Sequence, residues 1–444
     1  MGREYERDKE NCVVIRKPAT PGYEDAEPIV LLNHMDMVCV AAEGVTYDAQ
    51  HDTIKAVVED GWMHANGTSL GADNGIGLSM ALAVLQDDSI IHGPLEVLTT
   101  TNEEDGMTGA ENLSGDFIKG RKVINLDSED YDTITVGAAG ATILSITMPA
   151  TKTQAPEGMT CYEVTLTGGL GGHSGVDINK GRANLIIMLA RLLSQLDSVS
   201  EEWQCALFEG GNAAASIPSS AKAVIMIETA KAKACKDAIR DCFKKEVKPY
   251  AKTDGGIRLS ISQTMTPRLI VKKELIHNLL EAILKAPAGV IEMRTDMPDT
   301  VMTSSNIGVV RQDESDFEIL THSRSFDNKR TAQISGASGM TFEEYGGEPR
   351  VIMEAPSWDE KSEDYVNLVS ETFKDVLGFE PRKVAMHFVL EAGYYVQKYP
   401  GIEIACIGPR IVEPHSTSER VEIKTVEDIW EVTKELLRRL AEKK

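Results

Sequence analysis

The chain has 444 residues, with 46 Lys or Arg against 69 Asp or Glu and a formal charge of −23. That is more chain than one hydrophobic core usually serves, so two domains are expected, and the acidic balance excludes nucleic acid and anionic membrane as partners while suiting metal cations. Seven cysteines without CxxC spacing indicate neither a disulfide framework nor a four-cysteine zinc site; with no leader pattern and no 18-residue apolar run, a reduced, cytoplasmic, soluble protein is expected.

In chain order, residues 12–15 and 28–32 read as strands, and the second delivers Asn33-His-Met-Asp36 at its end. Residues two apart on an extended segment share a face, so His34 and Asp36 point the same way, as a metal ligand and its orienting carboxylate would. Gly71-Ala-Asp-Asn-Gly75 precedes an apolar segment of good helix formers at 76–86. Asp73 and Asn74 there fit an ordinary N-cap or, given the flanking glycines, a loop that approaches something closely.

The buried, β-branched run 95–101 then ends on adjacent carboxylates, Glu103 and Glu104. In open α/β sheets ligands collect where strands end. Two neighbouring acids in a pocket repel, so one should hold a cation while the other keeps a proton-accepting role; a solvated turn is the plain alternative. The strand 122–126 ends on Asp127. Oxygen and imidazole groups at four successive junctions suit a divalent transition ion, zinc first and manganese or cobalt next.

Beyond residue 145 the pattern changes to paired strands. Strands are expected at 160–167, 203–209, 222–228 and 256–262 with helices at 181–196 and 230–247. A second copy is expected to follow, with helix 272–285, strands 290–294, 306–312 and 316–322, and a helix from 324 to 336. Together these predict two ferredoxin-like α+β units in tandem. Gly168-Gly-Leu-Gly-Gly-His-Ser-Gly175 has no phosphate-loop register; its glycines instead expose His173, unless this is a simple loop histidine. From 350 the α/β style returns, with a helix at 364–376, a strand region at 382–391 carrying His387, a strand at 402–408, a Pro-bounded loop with His415, and a closing helix at 426–442. Histidines 51, 64, 92, 277 and 322 have no comparable setting and read as structural or exposed.

Six segments in this order, Asn33-His-Met-Asp-Met-Val38, Gly71-Ala-Asp-Asn-Gly75, Asn102-Glu-Glu-Asp-Gly-Met-Thr-Gly109, Asn125-Leu-Asp-Ser128, Gly172-His-Ser-Gly175 and Pro414-His-Ser416, closely resemble the aminoacyl-histidine dipeptidase branch of the M20 metallopeptidases. The resemblance implies an α/β di-metal catalytic domain, residues 1–143 and 351–444, interrupted by an α+β lid at 144–350 with two ferredoxin-like units. It implies that Asp73 bridges two divalent ions, that His34 and Asp127 complete one site and Glu104 and His415 the other, that Asp36 orients His34, and that Glu103 is the general base. His173 then serves as an oxyanion donor and Asn212 as a substrate contact, with Arg324 and His387 as contacts to the peptide termini. Dipeptides of Xaa-His or β-Ala-His type are the implied substrates, and a homodimer through the lid is compatible. In smaller members with one lid unit the histidine equivalent to His173 comes from the neighbouring subunit; a duplicated unit would let this chain supply its own.

Two departures bear on these expectations. Members of the family carry helices before the first strand, whereas this chain opens almost directly on 12–15, so part of a packing surface is expected to be bare. His387-Phe-Val-Leu-Glu391 replaces a smaller His-Ala-Gly-Leu-Glu, which points to a different substrate preference. Rival readings are another M20 activity, N-acyl amino acid deacylation or tripeptide cleavage, and a non-catalytic metal-binding protein. The free Glu103 argues against the last, because a binding-only site has no need of a base beside its ligands.

Overall fold

Continuous apolar runs such as Ile29–His34 and Leu95–Thr100 are buried at every position, the signature of parallel strands covered on both faces. In the computed structural model, which describes residues 2–442, they lie side by side at the centre of a nine-stranded sheet. Ile29–His34 runs parallel to Leu95–Thr100 on one side and to Lys122–Asn125 on the other, and Glu403–Cys406 continues the parallel set. The C-terminal ends of four strands therefore fall on one edge, and ligand-type residues follow each of them. The sheet also begins earlier than expected. Glu4–Arg7, exposed throughout, pairs antiparallel with Val13–Lys17 as its edge strand.

This sheet belongs to one of two compact units, formed by residues up to Ala138, Trp358–Ala385 and the chain from Leu390 on. The helices Glu363–Leu377 and Ile423–Glu442 are amphipathic, and the second buries Ile429, Val432, Leu436, Leu437 and Leu440 at helical spacing. A separate four-stranded sheet joins Ala56–Glu59, Trp62–Ala65, Arg420–Glu422 and Ile411–Val412. It brings the loop after residue 412 to the start of the helix Ala72–Gln86 through a small apolar cluster of Ala72, Ile411 and Val421.

The second unit comprises Ala139–Ser357 and Met386–Val389 and is built on an eleven-stranded sheet. Two ferredoxin-like units are present, but they are nested and not in tandem. The strands Arg258–Gln263, Met159–Thr167, Ala221–Glu228 and Gln204–Gly210 lie in the spatial order fourth, first, third, second of the first unit. Glu348–Ala355, Gly140–Pro149, Asp316–Ser325 and Val301–Gln312 repeat that order for the second. Its opening strand, Gly140–Pro149, precedes the whole first unit, which is thus an insertion after it. The two copies join through their second strands, Gly210 opposite Val310. Helices Leu185–Ser194, Ala232–Glu246, Lys273–Lys285 and Asn328–Glu344 supply Leu189, Ile239, Leu279 and Phe342 to a common core with Ile146 and Phe317. Each such fully buried side chain contributes about 1.5–3 kcal/mol.

One expected helix start is corrected. Residues 324 and 325 complete the strand Asp316–Ser325, and the helix begins only at Asn328, where the Asp327 carboxylate accepts from the N–H groups of Lys329 and Arg330. Arg324 is therefore a strand residue, on the same face as His322.

Candidate metal centre and substrate cluster

His34 closes its strand with Nδ1 3.0 Å from the carbonyl oxygen of Asp36 and 3.6 Å from Asp36 Oδ1. Nδ1 therefore carries the proton, and the lone pair of Nε2 faces two carboxylates, Asp73 Oδ1 at 3.1 Å and Asp127 Oδ1 at 3.3 Å. On the other side, Nε2 of His415 lies 3.2 Å from Asp73 Oδ2 and 3.0 Å from Glu104 Oε2. A ring nitrogen aimed at two carboxylates calls for a proton or a metal ion between them. No lysine or arginine among the described residues pairs with Asp73, Glu104 or Asp127, and Glu104 Oε1 and Asp36 Oδ1 are buried without a hydrogen-bond partner. The sets His34, Asp73, Asp127 and Asp73, Glu104, His415 each gather their donor atoms within 4.8 Å, with Asp73 common to both, and His34, Glu103 and Glu104 form a third such set. The residues fit a pair of divalent ions with nitrogen and oxygen ligands.

Local chemistry holds the donors in place. Gly71 adopts φ 71°, and a Cβ there would stand 2.6 Å from Met37 Sδ, so the turn into the helix needs glycine; Gly75 faces open space. Asp73 is not the N-cap, since Asp73 and Asn74 leave helical geometry and neither caps the helix. Asn74 instead donates to Leu126 O at 2.8 Å and to Asp127 Oδ1 at 2.6 Å, bracing Asp127. Asp36 Oδ2 accepts from the N–H of Glu104 at 3.1 Å, which ties the first ligand strand to the acidic pair.

The charges of the site pull against one another. Burial opposes a cation on His34, but Asp127 and the hydrogen bonds to Asp36 and Asp73 raise it far above its ordinary value. Burial would raise Asp73, yet its bonds to His34 and His415 hold it well below the usual carboxylate range. His415 is pushed up to about 10 by Asp73 and Glu104. Glu103 is pushed up to about 9 by burial, then by the charges of Asp127 and Glu391. Behind it Glu391, 5% exposed, accepts from Thr100 Oγ1 at 3.0 Å and Tyr395 OH at 3.1 Å and is raised to about 8, chiefly by burial.

In the second unit His173 leaves a glycine-rich turn with its Nδ1 accepting from the N–H groups of Gly175 (3.3 Å) and Val176 (3.2 Å). A donor thus faces each ring nitrogen, because guanidinium N–H groups only donate and one of them lies on the Nε2 side. Nη2 of Arg324 stands 3.4 Å from His173 Nε2 and 3.4 Å from Nδ1 of His322. Arg324 is 3% exposed, its Nε has no partner, and no described carboxylate pairs with it. Ser304, across the ladder from Arg324, bonds through Oγ to His387 Nε2 at 2.8 Å. Burial followed by the Arg324 charge lowers His173 to about 4 and His387 to about 3, and drives His322 well down, so all three are neutral at physiological pH. Asn212 is exposed and lines a surface groove of about 430 Å³ with Thr165, Glu209, Lys222 and Arg311. Of the histidines read as structural or exposed, His322 belongs in this cluster. Its alternation with Arg324 along one strand is the signal that could have found it.

The sequence profile of peptidase family M20/M25/M40 matches residues 30–442, and the chain belongs to that family. The cytosol non-specific dipeptidase of Escherichia coli (strain K12) is 33% identical over 448 aligned residues, spanning 100% of this chain and 91% of that protein. The crystal structure of aminoacylhistidine dipeptidase from Vibrio alginolyticus superposes with a TM-score of 0.91 at 30% identity, covering 99% of this chain and 89% of that one. A tripeptidase from Staphylococcus aureus shares the fold at 16% identity and a TM-score of 0.57, with 100% and 90% covered.

Proposed function

We propose that this chain is a cytosolic metallo-dipeptidase, with substrates of Xaa-His or β-Ala-His type foremost. The observation that carries it is the carboxylate of Asp73 shared between two three-donor sets, with Glu103 beside Glu104 at the same strand end. Two divalent ions, zinc before manganese or cobalt, would be held by His34 and Asp127 on one side and Glu104 and His415 on the other. Bound there, they acidify water and polarise the scissile carbonyl. Glu103 takes the proton of the attacking water and returns it to the leaving amine. Asp36 keeps His34 in the tautomer that presents Nε2.

Arg324 supports a substrate with a free carboxylate. A buried guanidinium without an acidic partner, next to histidines that are neutral, is matched by one added anion. Arg324 is assigned to the peptide carboxylate, His387 to its placement through Ser304, and His173, on the family resemblance, to the carbonyl oxygen that gains charge in the reaction. Asn212 is assigned to the substrate on the family resemblance alone.

The test is a panel of dipeptides, tripeptides and N-acyl amino acids offered to metal-loaded protein. Dipeptides should be cleaved with the highest kcat/KM. Preferential cleavage of N-acyl amino acids would replace this reading with a deacylase.

A further inference from the structure

The first turn of a helix leaves N–H groups without partners, and a nearby Ser, Thr, Asp or Asn usually answers them. At the helix Ala72–Gln86 the local candidates are engaged elsewhere, Asp73 with two histidines and Asn74 with Asp127. The N–H groups go instead to one distant side chain. Glu419 Oε2 accepts from Leu70 at 2.7 Å and Gly71 at 2.9 Å, and its Oε1 accepts from Ala72 at 2.7 Å and Asp73 at 3.4 Å. Glu419 is 2% exposed, and none of the described ion pairs includes it. Four backbone N–H groups satisfy both oxygens of this buried carboxylate.

Its place in the chain gives this clamp a second end. Glu419 follows His415 by four residues, its N–H donates to Ser416 O at 3.3 Å, and the strand Arg420–Glu422 anchors it from the other side. His415 itself is held at φ 59°, in the left-handed region. One carboxylate thus connects the backbone that carries Asp73 to the loop that carries His415, the two residues whose side chains meet at 3.2 Å.

Resting on the di-metal reading of the site, we propose that Glu419 is a positioning residue of the metal centre. It sets the backbone of Leu70–Asp73 so that Asp73 presents one oxygen to each histidine. It touches neither substrate nor reacting atoms. A helix cap alone would need one or two of the four N–H groups and no connection to His415.

Glu419→Gln keeps the shape but removes the charge and turns an amide toward N–H donors; Glu419→Asp keeps the charge on a shorter arm. Zinc affinity, measured by competition with a chromogenic chelator, should fall about 10- to 100-fold in both, the scale of loss for an outer partner of a metal ligand. The loss should be smaller in Glu419→Asp. With zinc in excess, KM for a dipeptide should stay near the parent value while kcat falls, and the metal-free proteins should remain folded. Parent-like zinc affinity with only a lowered unfolding midpoint would reduce Glu419 to a cap and overturn the proposal. So would loss of the folded state in both variants without metal, which would make it a determinant of the fold. Failure of the parent protein itself to take up zinc would instead remove the di-metal reading on which the proposal stands.

Discussion

Nε2 of His415 lies 3.2 Å from Oδ2 of Asp73, a residue 342 positions earlier in the chain, while the other oxygen of the same carboxylate faces His34. The ligand groups on either side of Asp73 therefore cannot be filled independently. Asp73→Ala is expected to abolish both metal sites and not one. Elemental analysis after dialysis should find well under one ion per chain; a single tightly held ion would show that Asp73 is a terminal ligand.

Glu103 separates chemistry from binding. Glu103→Gln removes a proton carrier and leaves every ligand of the two three-donor sets that share Asp73 in place, so metal content should stay near that of the parent protein. Turnover should fall by roughly 10²- to 10⁴-fold, the usual contribution of a general acid–base group. Metal lost together with activity would make Glu103 a ligand.

No described carboxylate pairs with Arg324, so its replacement should act on substrate more than on the fold. Arg324→Met should raise KM for dipeptides roughly 10- to 100-fold, since hydrogen bonds to a charged group contribute about 1.5–3 kcal/mol. Dipeptide amides, which lack the carboxylate, should be poor substrates of the parent and should lose little more in the variant. An equal loss with both substrate types would take Arg324 away from carboxylate recognition.

The buried histidines give stability a pH dependence of known sign. His387 is lowered to about 3 in the folded chain, whereas in the unfolded chain it titrates near its ordinary value. Between those values the unfolded state binds the extra proton, so stability is full at neutral pH and falls as pH drops below about 6.5. One such group costs up to about 1.4 kcal/mol per pH unit, or about 2 kcal/mol between pH 6.5 and 5. Glu103, Glu391 and His415, raised in the folded chain, titrate with the opposite sign in both proteins, so urea unfolding of metal-free protein at pH 7 and 5 should differ between the parent and His387→Asn by about that amount. An unchanged pH difference in the variant would mean that His387 titrates normally.

We propose, on the family resemblance and the presence of two ferredoxin-like copies in one chain, that His173 serves the active site of its own chain. Mixing His173→Ala chains with Glu103→Gln chains should then restore no activity. Recovery in the mixture would show that subunits share sites.

The parallel strands were legible because they are buried on both faces and so written as unbroken apolar runs, as in Ile29–His34 and Leu95–Thr100. Polar residues placed where those runs stop, His34, Glu103, Glu104 and Asp127, stand out against them. The nesting of the two α+β units was not legible, because the strand Gly140–Pro149 carries no mark of partners some 175 and 205 residues later in the chain. Nor was the true start of the helix Asn328–Glu344, which turns on a single side chain, Asp327, accepting two N–H groups.

Sequence by itself determined the chemical types in the centre and the strand ends that carry them, since a parallel sheet delivers every such end to one edge. Only the tertiary structure decided how those groups are aimed. Asn74 braces Asp127, Glu391 stands behind Glu103, Glu419 grips Leu70–Asp73, and His322 adjoins Arg324. Except for the His322 pair, these partners lie 53 to 349 residues apart. A buried carboxylate and the N–H groups that hold it need only meet in space, and no periodicity along the chain records that meeting.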